Sequence, residues 1–96
     1  MTGDDARPLI RDLTIVNKRG LHARASAKFV QTAEKFDAYV TVLKDGHSIG
    51  AGSIMGLMML AAAPGTVIRL VASGREARPA LDALEALVAD RFGEEE

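Results

Sequence analysis

Tyr39-Val40-Thr41-Val42-Leu43-Lys44-Asp45-Gly46-His47-Ser48-Ile49-Gly50-Ala51-Gly52-Ser53 decides the fold. Tyr39 to Leu43 has a strand pattern, with Val40 and Val42 on one face. Asp45-Gly46 is a strong two-residue hairpin signal, because a type I′ turn needs positive φ at both central positions. His47 to Ala51 should therefore pair back antiparallel. Gly50-Ala51-Gly52 ends that strand. Ser53 can then cap a short helix, from Ile54 to about Leu60, by accepting from N–H groups of its first turn.

Toward the N-terminus, Leu9 to Val16 is rich in β-formers. Leu9, Arg11, Leu13 and Ile15 share one face, with Leu13 and Ile15 aimed at the core. Asn17-Lys18-Arg19-Gly20 is a polar loop. Ser26, Phe29, Val30 and Ala33 recur at helical spacing and predict a helix from about Ala23 to Lys35. Toward the C-terminus, Pro64-Gly65 is a turn. The run from Val67 to Ala72 is a strand, with Ile68, Leu70 and Ala72 on one face, and Ser73-Gly74 breaks it. Glu76 to Arg91 is the clearest helix: Ala77, Ala80, Leu81, Leu84, Leu87 and Val88 form its apolar stripe. Pro79 falls in the first turn, where a missing N–H is harmless, and Gly93 is a stop signal. The order β-α-β-β-α-β-α predicts an α+β fold of two layers. One antiparallel sheet carries helices on one face and leaves the other to solvent.

Ninety-six residues suit one domain, 1–96, with a core over about 9–92 and flexible ends at 1–8 and 93–96. Glu94-Glu95-Glu96 reads as a solvated, frayed tail. Hydrophobic residues make up 48% of the chain and only four are aromatic, so Val, Ile, Leu, Ala and Met must build the core. The net charge of −1 offers no global attraction to nucleic acid or anionic membrane. The aromatics are too scattered to form a base-stacking platform, which disfavours a nucleic-acid binder. Cysteine is absent, which excludes disulfides, thiolate metal sites and Cys nucleophiles. Met1 to Asp5 is polar and acidic rather than an apolar leader, and Ile54 to Ala63 is too short to span a bilayer. A cytoplasmic location is the expectation.

Gly20-Leu21-His22-Ala23-Arg24 concentrates the chemistry. From Leu13 to Ala33 there is no Asp or Glu, while Lys18, Arg19, Arg24 and Lys28 all fall there. His22 lies at a predicted helix start, where unpaired N–H groups and the positive dipole end favour a phosphate. A neutral imidazole can accept a phosphoryl group covalently. Arg24 has the planar fork to hold phosphoryl oxygens in pairs. Taken alone, a histidine before a helix reads more readily as a polar N-cap; a solvated surface side chain is the bland reading of Arg24, and its place two residues after such a histidine weighs against it. His47, beside the hairpin turn, reads as solvated, and two such histidines make no metal site.

Gly20-Leu21-His22-Ala23-Arg24 together with Gly52-Ser53-Ile54-Met55-Gly56-Leu57-Met58 resembles the HPr family, the histidine-containing phosphocarriers of the phosphoenolpyruvate-dependent phosphotransferase system. The resemblance runs from about Leu13 to Val88. It implies an open-faced β-sandwich of four antiparallel strands with three helices on one side. It places His22 on the phosphorylated histidine, with Nδ1 as the reacting nitrogen, and Arg24 on the arginine beside it. Ser53 falls on the serine that a dedicated HPr kinase modifies in bacteria that have one. Ile54, Met55 and Met58, with Lys28, fall on the partner-contact surface, where flexible Met side chains suit several partners. Leu57 and Leu60 should face the core.

The implied role is a monomeric covalent carrier, not an enzyme with its own substrate pocket, and it needs no cofactor. His22 would take a phosphoryl group from phospho-Enzyme I and pass it to an EIIA-type protein, which requires it to be exposed. Sugar uptake and a nitrogen-type regulatory branch both fit. A regulatory docking module, whose phosphorylation state signals to sensors or kinases, is the alternative. One departure stands out. Ala25-Ser26 replaces the family's usual Pro-Ala, a change expected to cost from a few tenths to ~1 kcal/mol through the unfolded state.

Overall fold

The computed structural model describes residues 7–95. Strand β1 (Leu9–Thr14) is followed by helix α1 (Ala23–Ala33), the hairpin β2 (Tyr39–Lys44) and β3 (His47–Gly50), helix α2 (Ile54–Met59), strand β4 (Val67–Ser73) and helix α3 (Ala77–Ala89). The strands form one sheet in the order β1-β4-β2-β3, antiparallel at every pairing. The three helices cover one face, giving the open-faced sandwich expected from the sequence.

The hairpin forms at the Asp45-Gly46 turn, where φ is 51° and 81°, as a type I′ turn requires. Lys44 faces His47 across it. Period-two alternation then sorts the side chains. Leu13, Val40, Val42, Ile68, Leu70 and Ala72 point inward and are buried, while Ile10, Tyr39 and Val67 remain exposed on the open face. Arg11 shares the inward face at its rim. Its guanidinium reaches over to Asp82 and Glu85 of α3, at 2.6 and 2.9 Å, and ties the helix to the edge strand.

On the helices, Phe29, Val30 and Ala33 of α1, Leu57 of α2, and Ala77, Ala80, Leu81, Leu84 and Val88 of α3 close the core. Ser26, the polar member of the α1 stripe, is fully buried and donates from Oγ to the Leu21 carbonyl at 3.1 Å. α1 stops two residues before Lys35, because its last N–H groups tighten onto nearer carbonyls, Lys35 to Thr32 and Phe36 to Ala33.

The C-terminus departs most from expectation. α3 ends at Ala89, not Arg91. Arg91, Phe92 and Gly93 then all take positive φ, at 55°, 57° and 79°, and form a 3₁₀ turn. The physical reason is Phe92, whose ring is completely buried, so the chain must reverse to deliver it to the core. The Gly93 stop signal was correctly placed but acts after this reversal. Of the ends expected to be flexible, residues 1–6 and 96 lie outside the described residues. Glu94 is not a frayed residue: its side chain is only 16% exposed and is hydrogen-bonded.

Candidate functional site

The loop after β1 is built around Asn17 and Gly20. Asn17 is fully buried, and its Nδ2 donates to the Gly20 carbonyl at 2.9 Å. Gly20 has φ +65°, and a Cβ there would lie 2.2 Å from the Ala62 carbonyl oxygen. Only glycine allows that approach. Leu21 then donates its N–H to the same oxygen at 3.1 Å and buries its side chain. The loop is thereby clamped to the segment after α2, and the next residue, His22, is delivered to the start of α1.

His22 is the N-cap of α1, with extended backbone (φ −75°, ψ −177°). Its carbonyl accepts from Ser26 N–H at 2.8 Å, the first bond of the helix. Its Nδ1 accepts from the Arg24 N–H at 3.3 Å. Its Nε2 is paired with Glu94 Oε2. A carboxylate only accepts and an N–H only donates, so the proton belongs on Nε2 and the lone pair on Nδ1.

Glu94 is held in turn, because Asn17 Nδ2 donates to its Oε1 at 3.0 Å. Burial works against ionisation of Glu94. The hydrogen bonds from Asn17 and His22, with the Arg19 charge nearby, outweigh it and hold the carboxyl below its ordinary pKa. Two further contacts fix the segment that carries Glu94: the buried Phe92 ring, and Lys28 Nζ donating to the Phe92 carbonyl at 2.6 Å. Lys28, expected among the partner contacts, is thus engaged within the fold.

Arg24 is exposed and lines a shallow cleft with Arg19, Glu94 and Glu95. Among the described residues its guanidinium has no hydrogen bond or ion pair. It can therefore turn toward a group placed on Nδ1. Such a group would also meet first-turn N–H groups and the positive end of α1. Ala25, where a proline was the expected residue type, is fully buried beneath this turn.

Ser53 caps α2 as anticipated, its Oγ accepting from Gly56 N–H at 2.9 Å. Leu57 and Leu60 are buried, while Ile54, Met55 and Met58 are exposed, joined by Met59. Among the described residues no cluster of His, Cys, Asp and Glu has the makings of a metal site, and no helix is long and apolar enough to cross a membrane.

Two expectations change. The His22 side chain is only 16% exposed, because Glu94 lies over it. Asn17, read only as part of a polar loop, is the fully buried hinge of the site. Both Asn17 and Glu94 escaped the sequence reading. The available signal was Phe92, since a large aromatic directly after a helix marks an anchored segment rather than a frayed one.

Comparison with known proteins points to one family and to the same fold. The family model described as "PTS HPr component phosphorylation site" matches residues 10–90. The phosphocarrier protein HPr of Cupriavidus necator is 52% identical over 88 residues, covering 92% of this chain and 99% of its own. The phosphocarrier protein NPr of Shewanella violacea is 44% identical, covering 90% and 94%. The crystal structure of HPr-C-His from Thermoanaerobacter tengcongensis superposes with a TM-score of 0.87 at 44% identity, covering 92% of this chain and 99% of that one. With the fold, a histidine at the start of α1 and these similarities in agreement, the chain belongs to the HPr family of phosphocarrier proteins of the phosphotransferase system.

Proposed function

We propose that His22 is the transit point for the phosphoryl group, accepting it on Nδ1 from phospho-Enzyme I and passing it to a histidine of an EIIA-type protein. The observation that carries this reading is the His22 ring itself. It caps α1 with Nε2 paired to Glu94 and the Nδ1 lone pair beside the helix N-terminus. Arg24 supplies a mobile guanidinium for the phosphoryl oxygens. In phosphoryl transfer the protein mainly positions and neutralises charge, so Arg24 also serves the partner's half of the reaction. The domain acts as a cytoplasmic, monomeric carrier without a substrate pocket of its own, and the same chemistry serves a sugar-uptake or a nitrogen-type regulatory branch.

The apolar surface of Ile54, Met55 and Met58 receives the partners. Ser53, exposed at the edge of that surface, is the acceptor for an HPr kinase in a host that encodes one. A phosphate there adds about −2 charges to the docking face and repels an acidic partner.

The test is incubation with Enzyme I and phosphoenolpyruvate, comparing the protein with His22→Ala. Acid-labile labelling is expected only when His22 is present. Equal labelling of both proteins would sink the assignment. The Ser53 reading fails if HPr kinase and ATP leave Ser53 unmodified.

A further inference from the structure

The carboxylate over His22 asks for an explanation. It is not a surface pair formed by chance: Asn17, fully buried, donates to one carboxylate oxygen while His22 pairs with the other. The Asn17 amide spans two jobs, since the same Nδ2 also holds the Gly20 carbonyl that shapes the turn before His22. The residue that places His22 along the chain is thus also the residue that aims the carboxylate at its ring. The supporting segment is anchored independently by Phe92 in the core and by Lys28 on its carbonyl.

We infer that Asn17 and Glu94 form a positioning pair for phosphoryl transfer: Asn17 orients the Glu94 carboxylate, which keeps the proton on His22 Nε2 and leaves the lone pair on Nδ1. The inference rests on the reading of His22 as the phosphoryl acceptor. In the charging step the Nδ1 lone pair forms the N–P bond while the bond from phosphorus to the donor breaks and the donor leaves with its electron pair. The ring becomes cationic, with its proton still on Nε2 beside Glu94. In the discharging step the N–P electrons return to Nδ1, and the ring leaves as neutral imidazole. No proton moves in either step. Without the carboxylate the phosphorylated ring gives up its Nε2 proton more readily, and phosphoryl loss would then expel the much poorer leaving group imidazolate.

The test uses phosphoramidate as the phosphoryl donor, with ammonia as the group that leaves, so no partner protein is needed. Wild type, Glu94→Ala and Glu94→Gln are compared. Charging is followed by phosphorus NMR, the ring state by 15N shifts of His22, and phosphoryl loss as a function of pH. In the unphosphorylated wild type Nε2 carries the proton. Removing the carboxylate mixes the two tautomers and slows charging about tenfold, the lower end of the 10–100-fold cost of losing the carboxylate that orients a metal-ligating histidine. The midpoint of the pH profile for phosphoryl loss moves down, because the phosphorylated ring loses the carboxylate that holds its Nε2 proton. Glu94→Gln, equal in size without the charge, shifts the profile the same way, which a purely structural contact would not do. Equal rates, profiles and ring tautomers in all three proteins overturn the positioning role while leaving His22 as acceptor intact. Phosphorus on a residue other than His22 in the wild type overturns the reading of the site itself.

Discussion

Gly20→Ala probes how the fold delivers His22. Gly20 sits at φ +65°, in the left-handed region that costs an L-residue roughly 1–2 kcal/mol. Its added Cβ would lie 2.2 Å from the Ala62 oxygen and 3.2 Å from the Ala63 Cα. These are backbone atoms, so relief requires the loop to retreat from the segment after α2. That retreat breaks the 3.1 Å bond from Leu21 N–H to Ala62, worth about 0.5–1.5 kcal/mol. Together the loss is roughly 1.5–3.5 kcal/mol, which at this chain length lowers the melting temperature by roughly 6–28 °C. Gly46→Ala is the control. Its φ is +81° but nothing lies within 4 Å of the new Cβ, so only the backbone cost of roughly 1–2 kcal/mol applies. Urea denaturation followed by circular dichroism gives both values. If the two variants lose the same stability, the close approach of Gly20 to Ala62 is not holding the His22 loop, and the reasoning fails.

Ser53→Ala removes the 2.9 Å cap bond to Gly56 and should cost about 1 kcal/mol, with faster amide exchange confined to α2; unchanged exchange would contradict the capping role. Phe92→Ala empties a fully buried site and should cost about 3–5 kcal/mol in urea denaturation, and it should also free Glu94 from His22, seen as altered His22 ring shifts. Glu94 has a depressed pKa in the folded protein, so its contribution to stability is complete above the ordinary glutamate value of about 4.3 and is lost as pH falls through the lower folded value. Glu94→Gln should therefore flatten the acid side of the stability curve, and an unchanged curve would refute the pairing. Met55→Asp, at a side chain 72% exposed, should leave stability within about 0.5 kcal/mol yet slow charging by Enzyme I; unimpaired charging would remove α2 from the docking surface.

The fold was legible wherever local chemistry and burial agree. Asp45-Gly46 demands its turn, the alternation of Val40, Val42, Ile68 and Leu70 demands an inner sheet face, and Ser53 caps as its hydroxyl permits. His22 and Arg24 were legible as a pair because a helix start and a local excess of positive charge meet there. What could not be read depends on contacts distant in sequence. Asn17 looks like any polar loop residue until Glu94, 77 residues later, is brought against it. The end of α3 was misjudged for the same reason: its stripe continues to Val88, but the buried ring of Phe92 decides where the chain reverses. Lys28 likewise resembled a free cation on a basic segment, and only the folded C-terminus supplies the Phe92 carbonyl that it holds.

The central claim is that His22 carries the phosphoryl group on Nδ1, with Nε2 protonated and held by Glu94. A combined phosphorus and 15N NMR spectrum of the uniformly labelled protein, taken after charging by Enzyme I and phosphoenolpyruvate, tests it most directly. Coupling from phosphorus to Nδ1 of His22, with a protonated Nε2, is the predicted result. Coupling to Nε2, or a phosphorus signal that persists in His22→Ala, would contradict the account.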